Sequence, residues 1–162
     1  MNLSEKNYRQ YDLDWFFIVG NKLCHAASAG GNLPHSIINL LEKYSTVLMK
    51  IADLPSSYKV EVNPHIHQQL NGQNNVLGMK MYLNTFEGMA SKGCYSFDRL
   101  NLSDSNDDTY ILVANPEIND NNHSEYNKLV DSLRELIPTM DDFHFDMAPF
   151  NLIALCENAF KQ

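Results

Sequence analysis

Two closely spaced histidines are the residues of this chain whose spacing most suggests metal chemistry. On an extended segment, His65 and His67 would point to one side, as the imidazoles of some zinc sites do. A metal site would require a third ligand. His144 and Asp146, much later in the chain, are also separated by one residue and could supply it. No HExxH helix accompanies them. A small metal-assisted enzyme is therefore one hypothesis, but a solvated histidine pair is the simpler interpretation, and we predict no bound metal or other cofactor.

The cysteines could supply a thiol nucleophile if a base lay within hydrogen-bond reach. Cys24 and His25 are neighbours on a predicted strand, so their side chains should point to opposite faces. Cys94 follows the end of a predicted helix, where the helix dipole does not lower the pKa of a thiol. Three cysteines, far apart and in apolar surroundings, also argue against a disulfide framework or a zinc ribbon. We interpret Cys24, Cys94 and Cys156 as small buried apolar residues and predict no catalytic residue.

Acidic residues are concentrated in the second half of the chain. Residues 98–146 contain twelve Asp and Glu but only three Lys and Arg, a balance of −9, whereas the rest of the chain balances to +1. Phosphate would be repelled by such a surface, so nucleic acid is not expected as a direct ligand. A basic protein partner would be attracted, and solubility alone is the other interpretation. The partner-binding residues that we predict are Asp104, Asp107, Asp108, Glu117, Asp120, Asp141 and Asp142.

The fold is organised around residues 11–34, which predict a β-hairpin followed by a helix. Trp15 to Val19 is an almost continuous apolar run with high β propensity, and Lys22 to Ala27 would be the returning strand. Between them, Gly20-Asn21 suits a two-residue turn. Gly30-Gly31 provides backbone freedom for a sharp exit, but it lacks the lysine of a phosphate-binding loop.

The remaining pattern alternates between strands and amphipathic helices. One helix is expected from Pro34 to Leu54, with Asn32 as its cap and Ile37, Leu40, Leu41, Tyr44, Val47, Leu48 and Ile51 forming its apolar stripe. A second is expected over 76–90, with Leu77, Met81, Phe86 and Met89 on one face, and a third over 124–137. Strands are expected at 58–62, 94–98 and 109–114. Residues 141–160 allow either a strand or a helix.

These elements predict an α+β fold in a single domain, residues 1–162, with a mostly antiparallel sheet of four to six strands and about three packed helices. A chain of 162 residues is long enough for a hydrophobic core that needs no metal or disulfide. No apolar run approaches the roughly 20 residues that span a bilayer, and no secretory signal is visible at the polar N-terminus. We therefore expect a cytoplasmic protein with no membrane contact.

Two short blocks of sequence resemble a known group of proteins. The first consists of Asp14-Trp15-Phe16, Asn21, His25, Ser28-Ala29-Gly30-Gly31 and Leu33-Pro34, and the second of residues 90–98 with 110–116. Together they resemble small bacterial immunity proteins of contact-dependent and polymorphic toxin systems. The resemblance implies a cytoplasmic protein that neutralises a cognate toxin by binding it, and it implies no catalytic residues.

Toxin neutralisation is the leading functional hypothesis from the sequence. The acidic residues between Asp98 and Asp146 would cover a basic active-site cleft of the toxin, a nuclease being one candidate. The metal-assisted enzyme with His65, His67 and a distant acid is the alternative, and metal analysis of the purified protein separates the two. A ligand-binding or scaffold module is neither favoured nor opposed by the residues.

Overall fold

The computed structural model describes residues 7–69, 76–145 and 147–159, which are organised by one sheet of seven strands. The strands are β1 (Asp14–Val19), β2 (Lys22–Ala27), β3 (Val60–Val62), β4 (Cys94–Arg99), β5 (Thr109–Pro116), β6 (Thr139–Met140) and β7 (Phe150–Asn151). The helices are α1 (His35–Ile38), α2 (Tyr44–Ala52), α3 (Ile66–Gln69), α4 (Val76–Ser91), α5 (His123–Leu133) and α6 (Leu152–Ala159).

The sheet is mostly antiparallel, as predicted, with the order β3-β5-β4-β2-β1-β6 and β7 paired with β5. Strands β1 and β2 form the expected hairpin, and Gly20 in its turn has a positive φ of 56°. Two pairs are parallel, β2 with β4 and β1 with β6. The α+β class is therefore confirmed, with four longer helices, α2, α4, α5 and α6, where about three were predicted. No helix among the described residues is long and apolar enough to cross a membrane.

The two faces of the sheet are covered differently. Helix α4 packs on the face that carries His25, and the Phe86 ring lies 6.1 Å from the imidazole. The opposite face is aromatic: Trp15 stacks on Phe17 at 4.9 Å, and Phe17 contacts Phe97 at 6.3 Å. Its cover comes from the segment after β6, where the rings of Phe145 and Phe150 both meet Phe97, and from the buried residues of α6. The tail that was ambiguous in sequence therefore completes the core.

Two predictions about helices are wrong. The helix expected from Pro34 to Leu54 is interrupted: α1 and α2 are separated by a 3₁₀ turn, Leu41–Lys43. Asn32 does not cap α1, because its Oδ1, the atom that would cap the helix, accepts from Arg9 instead, while its amide donates to Asp108 at 3.0 Å. Five residues of the predicted apolar stripe are nevertheless buried, namely Ile37, Leu41, Tyr44, Val47 and Ile51.

In α4 the predicted bounds are close, but only the C-terminal half of the predicted face, Phe86 and Met89, packs against the core. Leu77 and Met81 are 67% and 70% exposed, whereas Met79, Phe86 and Ala90 are buried. Phe86 and Ala90 pack against β5 together with Tyr82 and Leu83. Because a helix this rich in apolar residues offers more than one stripe, the sheet chooses which stripe is buried.

Candidate functional site

The seven acidic residues predicted to bind a partner do not form one surface. Strand β5 has eight residues and spans about 25 Å at roughly 3.3 Å per residue, so its two ends are far apart. Asp104, Asp107 and Asp108 precede the strand, while Glu117 and Asp120 follow it. Asp141 and Asp142 follow β6, at the far side of the sheet order from β5. The excess negative charge is thus divided among three places.

The group before β5 lies on a loop that a buried cation holds in place. Arg99 is 1% exposed, and its guanidinium donates to main-chain carbonyls from two segments. In the loop it bonds the carbonyl of Asp107, at 3.1 Å from Nε and 2.9 Å from Nη2, and those of Asn101 and Asp104. Beyond the loop it bonds Ser28 at 3.2 Å and Ala29 at 3.4 Å. Residues 100–108 are called the pinned loop below.

No described carboxylate forms an ion pair with Arg99 within 4.0 Å. Its charge is compensated by oriented peptide dipoles, and all three guanidinium nitrogens are hydrogen-bonded. The planar fork of arginine reaches several carbonyls at once, which the single ammonium of lysine could not do with the same geometry. The pinned loop therefore has a fixed main-chain path.

Side chains of the pinned loop fix it further. The Asp107 carboxylate accepts from the Thr109 N–H at 3.0 Å and from the Asn101 amide at 3.2 Å. The bonds from Thr109 lower the pKa of Asp107, with smaller contributions from Asn101 and Arg99. Asp108 accepts from Asn32. Two of the three predicted acids in this group thus have structural roles within the protein.

The pinned loop presents an apolar side chain beside a carboxylate. Leu102 is 61% exposed, one of the few large apolar side chains that the described residues leave in solvent. Asp104 is exposed too, and within the described parts of the chain its carboxylate accepts only from the nearby Asn106 N–H, at 3.0 Å. A single exposed leucine is ordinary on a protein surface, so what distinguishes Leu102 is that it stands near an exposed acid on a loop whose main chain Arg99 holds.

The acids at the other end of the sheet make fewer contacts than those of the pinned loop. Asp120 is exposed on the turn before α5, and Glu117 is half-buried. Asp141 is exposed, while Asp142 pairs with Lys22. A cleft of about 440 Å³ adjoins these last two acids, lined by Met140, Asp141, Asp142, Phe143, Leu155, Asn158 and Ala159.

The histidine pair is not on an extended segment, so the premise of the metal hypothesis is wrong. His65 is exposed in the turn before α3, and His67 lies within that helix. His144 is exposed, and Asp146 lies outside the described residues. The described residues contain no group of three His, Cys, Asp or Glu that could hold a metal ion.

All three thiols are buried and in their neutral form. Burial raises the pKa of Cys24 and Cys156 well above the ordinary value, and it raises that of Cys94 to about 12. A thiol is a weak nucleophile until it ionises, so these cysteines are chemically inert in the folded protein. Their placement agrees with the interpretation of small buried apolar residues.

The fold assembles one polar group that the sequence did not reveal. The buried His25 ring lies 2.9 Å from Asp14 Oδ1 through Nε2 and 2.6 Å from Ser96 Oγ through Nδ1. These are the residue types of a serine hydrolase, but Ser96 is fully buried in the middle of β4, and Phe16 and Phe86 flank the imidazole. The group therefore satisfies a buried histidine. Only the pairing of β2 with β4, which sets His25 opposite Ser96, could have identified it.

Asp98 lies on the same face of the sheet as His25, and its carboxylate is buried. It is 5% exposed, with Tyr82 donating to Oδ2 at 2.8 Å and the Arg99 N–H to Oδ1 at 2.8 Å. Burial raises the pKa of Asp98 to about 6, although both hydrogen bonds oppose the shift. Between about pH 4 and pH 6 the folded state therefore binds more protons than the unfolded state, and the free energy of unfolding contributed by Asp98 falls as the pH rises.

Replacing Asp98 by Asn should remove this pH dependence. Between pH 4 and pH 7.5 the free energy of unfolding of Asp98→Asn should rise by about 2 to 3 kcal/mol relative to that of the wild type. The reason is that the neutral amide of Asn does not ionise, so its burial costs the same at every pH. Urea unfolding across this pH range measures it, with Asp120→Asn as the exposed control. A constant difference between Asp98→Asn and the wild type would contradict an elevated pKa for Asp98.

The fold and its surface define an acidic α+β protein with a mixed seven-stranded sheet and a rigid loop that displays a leucine and an aspartate. Comparison with protein-family models, with curated proteins and with solved structures found no match.

Proposed function

We propose that this protein is an immunity-type inhibitor that binds a cognate bacterial toxin domain in the cytoplasm and covers its basic active-site surface. The pinned loop carries this proposal. A buried arginine that pairs with none of the described carboxylates fixes a loop whose outward side chains, Leu102 and Asp104, contribute little to the core. Pre-organisation of this kind lowers the entropy lost when a partner binds.

Charge favours a basic partner. The chain has a net charge of −8, and the pinned loop lies within the acidic part of the sequence. A partner with a cationic cleft, such as a nuclease domain, would be steered toward it, and the encounter would slow as salt is added. Leu102 would supply the apolar contact at the centre of the interface, with acids around it.

Two substitutions at the pinned loop test this function without changing its main chain. With the toxin domain encoded by the neighbouring gene, Leu102→Ser should weaken binding about 10- to 100-fold, and Asp104→Asn about 3- to 10-fold. Asn can still accept the Asn106 N–H, and the carbonyl of residue 104 still faces Arg99. Asp53→Asn, at an exposed acid outside residues 98–146, is the matched control and should leave the affinity unchanged.

Calorimetry over a salt series gives the readout. The wild-type affinity should fall with salt, and Asp104→Asn should show a shallower dependence. Absence of binding to any adjacent toxin domain would overturn the proposed function. Binding that is insensitive to salt and to both substitutions would leave neutralisation standing but would remove the pinned loop from it.

A further inference from the structure

The outer edge of β6 has main-chain groups that make no hydrogen bond with the described residues. Strand β6 pairs with β1 through the carbonyls of its alternate residues: the Ile18 N–H donates to Pro138 at 2.8 Å and the Gly20 N–H to Met140 at 2.9 Å. Because main-chain groups alternate in direction along a strand, the N–H and C=O of Thr139 point away from β1. Thr139 makes no hydrogen bond with any part of the chain that the structure describes.

An open cleft runs beside this edge. The cleft of about 440 Å³ has Phe143 and Leu155 in its wall, and a second recess of about 370 Å³ is lined by Gly20, Arg134 and Thr139. The two share four residues, Met140, Asp141, Asp142 and Ala159, so they form one continuous groove along β6. A groove with an apolar wall and a free strand edge has the shape that an extended peptide requires.

The unmatched charge in the groove is negative. Arg134 is satisfied by Asp131 at 2.9 Å and by the Gly20 carbonyl at 2.8 Å. Lys22 pairs with Asp142. The exposed carboxylate of Asp141 has no partner among the described residues. A cationic side chain is therefore the complement that the groove lacks.

We propose that the β6 edge binds an extended segment of a partner protein that carries a lysine or arginine. The segment adds a strand to the sheet: its main chain pairs with Thr139, and a cationic side chain meets Asp141. Strand addition uses the main chain for affinity and alternate side chains for specificity. The groove and the pinned loop lie on different parts of the molecule, so this binding does not depend on the proposed function.

Two observations favour a basic segment over a second copy of this chain. A second copy would present the same β6 edge, where the cations Lys22 and Arg134 are already paired, so it would offer no free cation to Asp141. The net charge of −8 on each copy also opposes the approach of two copies.

The probe for this binding is a phage-displayed library of random nonapeptides, selected on the full-length protein. Enriched peptides should share a Lys or Arg at one position. Resynthesised peptides should bind Thr139→Pro at least 10-fold more weakly, because proline removes the outward donor without removing a bond to β1. Asp141→Asn should weaken binding about 3- to 5-fold, and Glu42→Gln, at an exposed acid outside residues 98–146, should not change it. The Thr139 amide should exchange more slowly when peptide is bound.

Each other outcome would overturn the proposal. No enrichment, or peptides without basic residues, would show that the groove selects no such segment, and undiminished binding to Thr139→Pro and Asp141→Asn would place the peptides elsewhere. A dimer in sedimentation that Asp141→Lys strengthens and Thr139→Pro dissolves would identify a second copy as the occupant. If Thr139→Pro fails to fold, Asp141→Asn and the exchange measurement still test whether the peptides bind at the β6 edge.

Discussion

Replacing Arg99 by Met is expected to lower the free energy of unfolding by about 3 to 5 kcal/mol, because the buried carbonyls that it binds would lose their donor. Methionine fills much of the same volume, so loss of packing contributes little. The guanidinium joins the pinned loop to the Ser28-Ala29 turn, and no other described side chain donates to both. Arg99→Lys should recover only part of the loss, since its ammonium cannot reproduce the planar fork.

Urea unfolding measures this stability, and amide hydrogen exchange in residues 100–108 shows where order is lost. Arg134→Met is the matched control: Arg134 also donates to a carbonyl, that of Gly20, but its side chain is about one third exposed. Its removal should cost about 1 kcal/mol or less, as for other exposed polar contacts. If Arg99→Met and Arg134→Met are equally mild, then Arg99 does not pin the loop.

Gly31→Ala is expected to destabilise the protein by about 2 to 3 kcal/mol, through overpacking. A methyl group at Gly31 would lie 2.5 Å from Nη1 and 2.6 Å from Cζ of Arg99. The end of an arginine side chain usually moves aside easily. Here the guanidinium is bonded to carbonyls of two segments, so any shift breaks hydrogen bonds as well as relieving the clash.

Gly88→Ala provides the contrast within the same chain. A methyl group at Gly88 would meet nothing within 4 Å, and the residue lies inside α4. Alanine there should raise the free energy of unfolding by about 0.5 to 1 kcal/mol, the usual helix preference over glycine.

A double-mutant cycle attributes the Gly31 effect to Arg99. In the Arg99→Met background Gly31→Ala should cost less than in the wild type, with a coupling free energy of about 1 to 2 kcal/mol. Additive effects of the two substitutions would show that Gly31 is required for some other reason than the closeness of Arg99.

Local patterns in the sequence identified most of the elements of this fold. The apolar run at Trp15 to Val19 and the Gly20-Asn21 turn specify a hairpin by themselves, because strand propensity and turn geometry depend on neighbouring residues. Strands β4 and β5 and the longest helix, α4, were also found close to their observed bounds. The interruption between α1 and α2 was missed, because an apolar stripe with helical spacing continues across it.

Much less of the candidate site than of the fold could be predicted from the sequence. The acidic composition of residues 98–146 was visible in the sequence, but composition does not say which carboxylates meet. Asp107 and Asp108 turned out to bond within the protein, and Asp141 borders a groove that exists only because β6 and α6 lie side by side. Leu102 carried no signal, since an exposed leucine and a buried one look alike in sequence.

Local periodicity and composition were enough to predict the class of this protein, its opening hairpin and its charge. They did not predict that Arg99 turns inward to bind carbonyls of its own loop and those of Ser28 and Ala29, 71 and 70 residues earlier in the chain. Only the tertiary structure decided this, and it also decided that His25 meets Ser96 and Asp14, and that β6 presents an unused edge. Those arrangements depend on strand order and on parallel pairing between distant segments, which leave no periodic trace in the chain.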